Sequence, residues 1–199
     1  MMGKFRKEYE KLSLPIGRVS IKLGLKPDAW TAISFLTGLG AAVLFGFHQI
    51  WWGLLLMLIM SFTDSIDGAT ARAGNLESAY GGVLDHTVDR YVEIALIAGI
   101  MAGGYCSPLM GLFVISGMLM ASYVRAAAES IGKMKNCVVG LAGRQEKFII
   151  LIIALILFAF KVNLIGQIAM ALIGILSHIT AVQRMIYTIK HAGKEELSK

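Results

Sequence analysis

Four aspartates carry the most chemistry in this chain: Asp64, Asp67, Asp85 and Asp89. They lie in Asp64-Ser-Ile-Asp67-Gly68-Ala-Thr-Ala71-Arg72 and in the stretch after it that holds Ser78, Gly81, Asp85 and Asp89. All four stand at the ends of two adjacent apolar segments. A charge in a membrane helix costs about 2.5–3.5 kcal/mol even on the lenient insertion scale, so each acid needs a partner. At about 100° per residue, Asp64, Asp67, Gly68 and Ala71 share one helix face, with Arg72 beside it. Ser78, Gly81, Asp85 and Asp89 share a similarly narrow face of the next helix. Turned together, the two faces make a cluster of three or four carboxylates that holds its charge only if cations enter. Hard oxygen donors suit Mg²⁺, Mn²⁺ or Ca²⁺, not zinc.

The small residues matter as much as the acids. Gly68, Ala71 and Gly81 leave a groove on the same faces, where a bulky group could lie against the backbone. Cations, groove and Arg72 together describe a phosphate-bearing ligand. A purely structural helix pair is a poor alternative, since Arg72 and Arg90 cannot neutralise four acids. A cation pathway, as in a divalent cation transporter, would explain Asp64 and Asp67, but not the groove or the basic cluster described below.

The elements that must position these faces are transmembrane helices. Of the 199 residues 56% are hydrophobic and only 16% charged, where a soluble domain carries about a quarter charged. Six spans are expected, at about 30–48, 50–73, 79–104, 107–129, 145–161 and 164–187. The run from Phe148 to Phe160 is too short to cross alone, so its helix must continue through polar residues. Seven Lys/Arg precede Asp28, four follow Gln183 and five lie from Arg125 to Lys147, whereas the intervening loops hold only Lys161. That asymmetry predicts a cell-membrane protein with both termini and the active site on the cytoplasmic side. The net charge of +6 is thereby explained without a nucleic-acid partner.

Phe5, Tyr9, Leu12, Ile16, Val19 and Leu23 recur at roughly helical spacing among Lys4, Arg6, Lys7, Lys11, Arg18 and Lys22. This predicts a basic amphipathic helix on the anionic membrane surface, against membrane lipids. The segment lacks the apolar core and cleavage site of a signal peptide. The expected fold is therefore all-α, a polytopic membrane protein with six transmembrane helices and an N-terminal amphipathic interfacial helix. Residues 1–26 form the juxtamembrane segment, 27–190 the membrane domain and 191–199 a polar tail. Cys106 and Cys137 are expected to be unpaired. His86, His178 and Tyr123 are not assigned to the site, and Trp30, Trp51 and Trp52 read as interface anchors.

Asp64-x2-Asp67-Gly68-x2-Ala71-Arg72-x8-Gly81-x3-Asp85-x3-Asp89 resembles the complete signature of the CDP-alcohol phosphotransferase family, eight fixed residues at fixed spacings. Pro27-Asp28-Ala29-Trp30-Thr31 is similar to the Pro-Asn-x-x-Thr start of the family's first span, with Asp28 in place of Asn. The resemblance implies six transmembrane helices, a homodimer, and release of CMP from a CDP-linked lipid. It implies two divalent ions, Mg²⁺ or Mn²⁺, held on the diphosphate by Asp64, Asp67 and Asp85. Asp89 is carried over as general base on the acceptor hydroxyl and as a further metal contact. Thr31, Asp64, Gly68, Ala71, Arg72, Ser78 and Gly81 would line the nucleotide site.

Glycerophosphate-type members place Pro after the third Asp and Lys after the fourth, where this chain has His86 and Arg90. Ser122-Tyr123-Val124-Arg125-Ala126-Ala127-Ala128-Glu129 and Arg144-Gln145-Glu146-Lys147 resemble segments of phosphatidylinositol phosphate and archaetidylinositol phosphate synthases. Arg125, Arg144 and Lys147 are expected at one cytoplasmic level, suiting an acceptor that already carries phosphate. Positive-inside anchoring is the plainer role for them, and Glu129 and Glu146 could absorb two of the charges. Inositol 1-phosphate is the expected acceptor, with glycerol phosphate, serine or another alcohol as the alternative. Apolar residues do not distinguish diacylglycerol from archaeol tails.

Overall fold

The computed structural model describes residues 13–134 and 137–191. Phe5, Tyr9 and Leu12 of the expected N-terminal helix and residues 192–199 of the tail lie outside the described residues.

All regular structure among the described residues is helical. Helix α1 covers residues 13–22. It is followed by α2 (Pro27–Gly46), α3 (Ile50–Gly74), α4 (Ala79–Ala102), α5 (Pro108–Ser130), α6 (Arg144–Ala159) and α7 (Asn163–His191). Proline opens α2 and α5, where its missing N–H would have no helical acceptor and its fixed φ suits the first turn. Ser107 caps α5 by accepting the Met110 N–H at 3.2 Å. Asn75 ends α3 in the left-handed region at φ 50°.

Helices α2, α3, α5 and α7 are long and apolar enough to cross a bilayer, and the chain is an integral membrane protein. The other two long helices are limited by their polar residues or length. Helix α4 carries Asp85, Asp89, Arg90 and Glu93. The 16 residues of α6 reach about 24 Å at 1.5 Å per residue, short of a hydrocarbon core of about 30 Å. Large apolar side chains such as Leu36, Val43, Leu58 and Phe62 are exposed, as suits a protein whose solvent is lipid.

The chain divides into two compact units, Met1–Gly99 and Ile100–Lys199. In the first, α2 packs on α3, and Gly99 of α4 meets the Ala42 backbone of α2 closer than a Cβ would permit. Helix α1 lies against α3 with Ser13, Gly17 and Ser20 buried, while Ile16, Arg18, Val19, Lys22 and Leu23 are exposed. Its buried residues are thus small, Ile16 and Val19 point outward, and Ile21 packs beside Gly74 of α3.

In the second unit α7 packs on α5 and α6. Residues 137–143 are tied to α7 by Thr180, at 3.3 Å from both the N–H and the carbonyl of Ala142, and by Gln183, which accepts the Leu141 N–H at 2.9 Å. His178 stacks on Phe113 and bonds its carbonyl, a packing role. Cys106 and Cys137 are free and buried.

Candidate active site

Three of the four aspartates come together. Asp64 and Asp67 on α3 and Asp85 on α4 each offer a carboxylate oxygen, and these oxygens lie within 4.8 Å of one another. Two oxygens on one hard cation at about 2.1–2.4 Å stand at most about 4.2–4.8 Å apart, so oxygens this close are within reach of a shared Mg²⁺, Mn²⁺ or Ca²⁺ after small side-chain adjustment. The donor set is all oxygen, which suits these hard cations better than zinc. Three acids this close repel one another strongly when ionised, and a divalent cation removes that repulsion.

Asp67 is the most constrained of the three, only 7% exposed. Its Oδ1 accepts the Gly68 N–H. Its Oδ2 accepts the hydroxyl of Thr31 on α2 at 2.9 Å. These two donors restrain the carboxylate, the usual work of an outer shell that orients a metal ligand. Thr31, expected to line the nucleotide site, thus donates its hydroxyl proton to Asp67.

A Cβ on Gly68 would lie 3.2 Å from Arg72 Nη1, so the missing side chain lets Arg72 fold back along α3. Arg72 Nε is buried with no hydrogen-bond partner among the described residues. A buried guanidinium N–H without an acceptor is costly and marks where an anionic oxygen would be stabilised. Ser78 precedes α4 rather than lying within it, and its Oγ accepts the Gly81 N–H at 3.0 Å as a helix cap. Ala71 is half-buried on α3. His86 Nδ1 stands 3.4 Å from Asp85 Oδ2 with its ring largely exposed.

Asp89 does not belong to the three-acid group. It is buried, and its Oδ2 lies 3.8 Å from Arg90 Nη2. Arg90 is held by Glu93, with Nη1 to Oε2 at 2.7 Å, and Glu93 is 1% exposed. Glu93 falls beyond the eight-residue pattern, yet its spacing carried the signal, since Asp85, Asp89 and Glu93 recur every four residues on one α4 face.

The three basic residues expected to meet an acceptor phosphate lie in the second unit. Arg125 Nε bonds Glu129 Oε1 at 2.9 Å, and the same oxygen accepts the Cys137 N–H at 3.1 Å. Arg144 and Lys147 open α6. Arg144 Cζ sits 5.3 Å from the Phe148 ring centroid, and Lys147 is buried at 5% exposure. The same unit buries Arg184, which the sequence reading does not single out. Its Nε bonds the Val139 carbonyl at 2.9 Å and its Nη1 the Ala121 carbonyl at 2.6 Å. Trp30, expected as an interface anchor, donates its indole N–H to Ser20 Oγ at 2.6 Å, while Trp51 and Trp52 are exposed at the start of α3.

Residues 25–183 match the family model for CDP-alcohol phosphatidyltransferases. The archaetidylinositol phosphate synthase of Methanothermobacter thermautotrophicus is 36% identical over 188 residues, covering 94% of this chain and 93% of the relative. The phosphatidylinositol phosphate synthase of Mycolicibacterium smegmatis is 30% identical over 190 residues, covering 90% and 85%. The crystal structure of Mycobacterium tuberculosis phosphatidylinositol phosphate synthase with CDP-DAG bound superposes with a TM-score of 0.79 at 25% identity, covering 89% of this chain and 94% of that one. The same enzyme in complex with manganese and citrate also gives 0.79, covering 91% and 90%.

Proposed function

The chain belongs to the CDP-alcohol phosphatidyltransferase family, and from that premise we propose that it transfers a phosphatidyl-type group from a CDP-linked lipid to inositol 1-phosphate, releasing CMP. The observation that carries this reading is the approach of the Asp64, Asp67 and Asp85 oxygens to within 4.8 Å at the family's own spacing.

Two divalent ions, Mg²⁺ or Mn²⁺, bound through these acids would supply charge neutralisation on the diphosphate as its bridging P–O bond breaks. Asp89 takes the proton of the acceptor hydroxyl, whose oxygen bonds to the phosphorus bearing the lipid while CMP leaves with the bridging oxygen. A metal contact by Asp89 is secondary here, since it stands outside the three-acid group. Arg72 meets a phosphate oxygen through its unpartnered Nε. Thr31, Gly68, Ala71, Ser78 and Gly81 line the nucleotide site, Thr31 also orienting Asp67. Arg125, Arg144 and Lys147 are assigned to the acceptor's phosphate.

In this reading α2 to α7 make six spans, with residues 27–190 as one catalytic domain. Helix α1 rests on the anionic surface, an assignment supported by its exposed Ile16, Val19 and Leu23 beside Arg18 and Lys22. The Lys/Arg distribution supports both termini and the active site on the cytoplasmic side of the cell membrane. The homodimer follows the family resemblance.

The test is CMP release from a CDP-linked lipid by purified protein in detergent with Mn²⁺ or Mg²⁺, against a panel of alcohols. Inositol 1-phosphate should be the fastest acceptor, and chelation should stop release. No CMP release with any alcohol, together with Mn²⁺ flux across sealed vesicles, would replace the enzyme reading with a transporter.

A further inference from the structure

Helix α1 carries none of the acids, yet it touches the framework of the metal site in two places. Gly17 lies against the turn of α3 that follows Asp67-Gly68: a Cβ there would stand 3.0 Å from Thr70 N and closer still to the Ala69 carbonyl. Both neighbours are backbone, which cannot rotate aside as a side chain can, so even one methyl must push α1 and α3 apart. Thr70 is fully buried, which leaves that turn little room to move independently. The second contact runs through Ser20, 2% exposed, whose Oγ accepts the Trp30 indole N–H at 2.6 Å. The next residue, Thr31, donates to Asp67 Oδ2. Helix α1 therefore braces Asp67 twice, through its own helix backbone and through the residue that orients its carboxylate.

We propose that Gly17 is a positioning residue for the divalent-metal site, setting the distance of α1 from α3 so that Asp67 keeps its place in the three-acid group. This rests on the metal-dependent reading above. The measurement is Mn²⁺ affinity of the full-length protein in detergent by titration calorimetry, with the Mn²⁺ dependence of CMP release alongside. Gly17→Ala should bind Mn²⁺ about tenfold more weakly, within the range found when outer-shell support is lost. Its half-saturating Mn²⁺ for CMP release should rise accordingly, with kcat at saturating Mn²⁺ largely retained. Trp30→Phe, which keeps a ring but loses the N–H, should weaken Mn²⁺ binding in the same direction. Gly174→Ala, where a Cβ would press on the Phe113 ring in the other unit, should lower thermal stability and leave Mn²⁺ affinity unchanged.

A wild-type protein that binds no Mn²⁺ defeats the metal reading itself. Wild-type binding with unaltered affinity in a monodisperse Gly17→Ala protein defeats the positioning role alone, as does an equal loss in Gly174→Ala. Should Gly17→Ala not fold, Trp30→Phe decides by the same titration, and wild-type affinity there overturns the proposal.

Discussion

Thr31 Oγ1 on α2 donates to Asp67 Oδ2 on α3 at 2.9 Å, and the two residues are only 6% and 7% exposed. A carboxylate buried to that degree must have its lone pairs satisfied. Thr31 supplies one donor and the Gly68 N–H another, so a cation completes a set that is otherwise pre-arranged. The bond spans 36 positions of sequence and makes the start of α2 part of the metal site.

Thr31→Val keeps the shape of the side chain and removes the donor. Mn²⁺ affinity should fall by roughly ten- to a hundredfold, the usual cost of losing an outer-shell partner, while Thr31→Ser should stay near wild type. Calorimetric titration checks this. Equal affinity in the valine variant would show that the Gly68 N–H alone orients Asp67.

Asp64→Asn, Asp67→Asn and Asp85→Asn should each abolish CMP release while the protein still inserts and purifies. Each substitution removes one negative oxygen from the three-acid group, at nearly constant volume. Normal activity in one variant removes that residue from the metal set, and normal activity in all three defeats the enzyme reading.

The helix positions were legible because membrane helices announce themselves by apolar runs, and the three-acid cluster because Asp64, Asp67 and Asp85 obey helical spacing on two adjacent elements. What apolar runs miss is the polar ends. Helix α2 opens at Pro27 and not at Trp30, since proline suits a first turn. Helix α7 runs on to His191 through Arg184, Thr188 and Lys190, past the expected stop near 187. The docking face of α1 was hidden for a related reason: Ser13, Gly17 and Ser20 give no hydropathy signal, whereas the conspicuous Ile16, Val19 and Leu23 point away from the protein. Long-range polar pairs such as Thr31 with Asp67, or Arg184 with the Ala121 and Val139 carbonyls, depend on tertiary placement that no local pattern encodes.

The Arg90–Glu93 pair offers a test of stability beside the chemistry, since Arg90 also meets Asp89 at 3.8 Å. Glu93 is 1% exposed and bonds Arg90 at 2.7 Å. Glu93→Met alone leaves the guanidinium without that partner and should cost about 3 kcal/mol, the lower end for breaking a buried pair because Arg90 is partly exposed. Arg90→Met/Glu93→Met together should recover only part of the loss, because Asp89 then loses its Arg90 contact at 3.8 Å. Thermal unfolding in detergent gives the comparison, and strict additivity of the two single variants would mean the pair is not coupled.

Asp89→Asn should still bind CDP-linked lipid and Mn²⁺ but turn over about 10²–10⁴ times more slowly, the range for losing a general base. An unaltered turnover number excludes the base role. Weakened Mn²⁺ binding would instead add Asp89 to the metal ligands.

The acceptor tests the second unit. If Lys147 and Arg144 hold the phosphate of inositol phosphate, Lys147→Met and Arg144→Gln should chiefly raise the acceptor KM. One charge-assisted contact is worth about 1.5–3 kcal/mol, or roughly ten- to a hundredfold in affinity. The KM for the CDP-linked lipid should barely change, because its contacts are assigned to α3 and α4. Arg125→Gln should behave differently, since Arg125 already bonds Glu129, which also holds the Cys137 N–H. That variant should lose thermal stability as well as acceptor affinity. Positive-inside anchors alone would give neither selectivity, because that role involves no contact specific to one substrate. The deciding comparison is inositol 1-phosphate against free inositol in the unmutated protein. If the free alcohol proves the better acceptor, Lys147 and Arg144 are not a phosphate site, and their variants should then leave both KM values where they were.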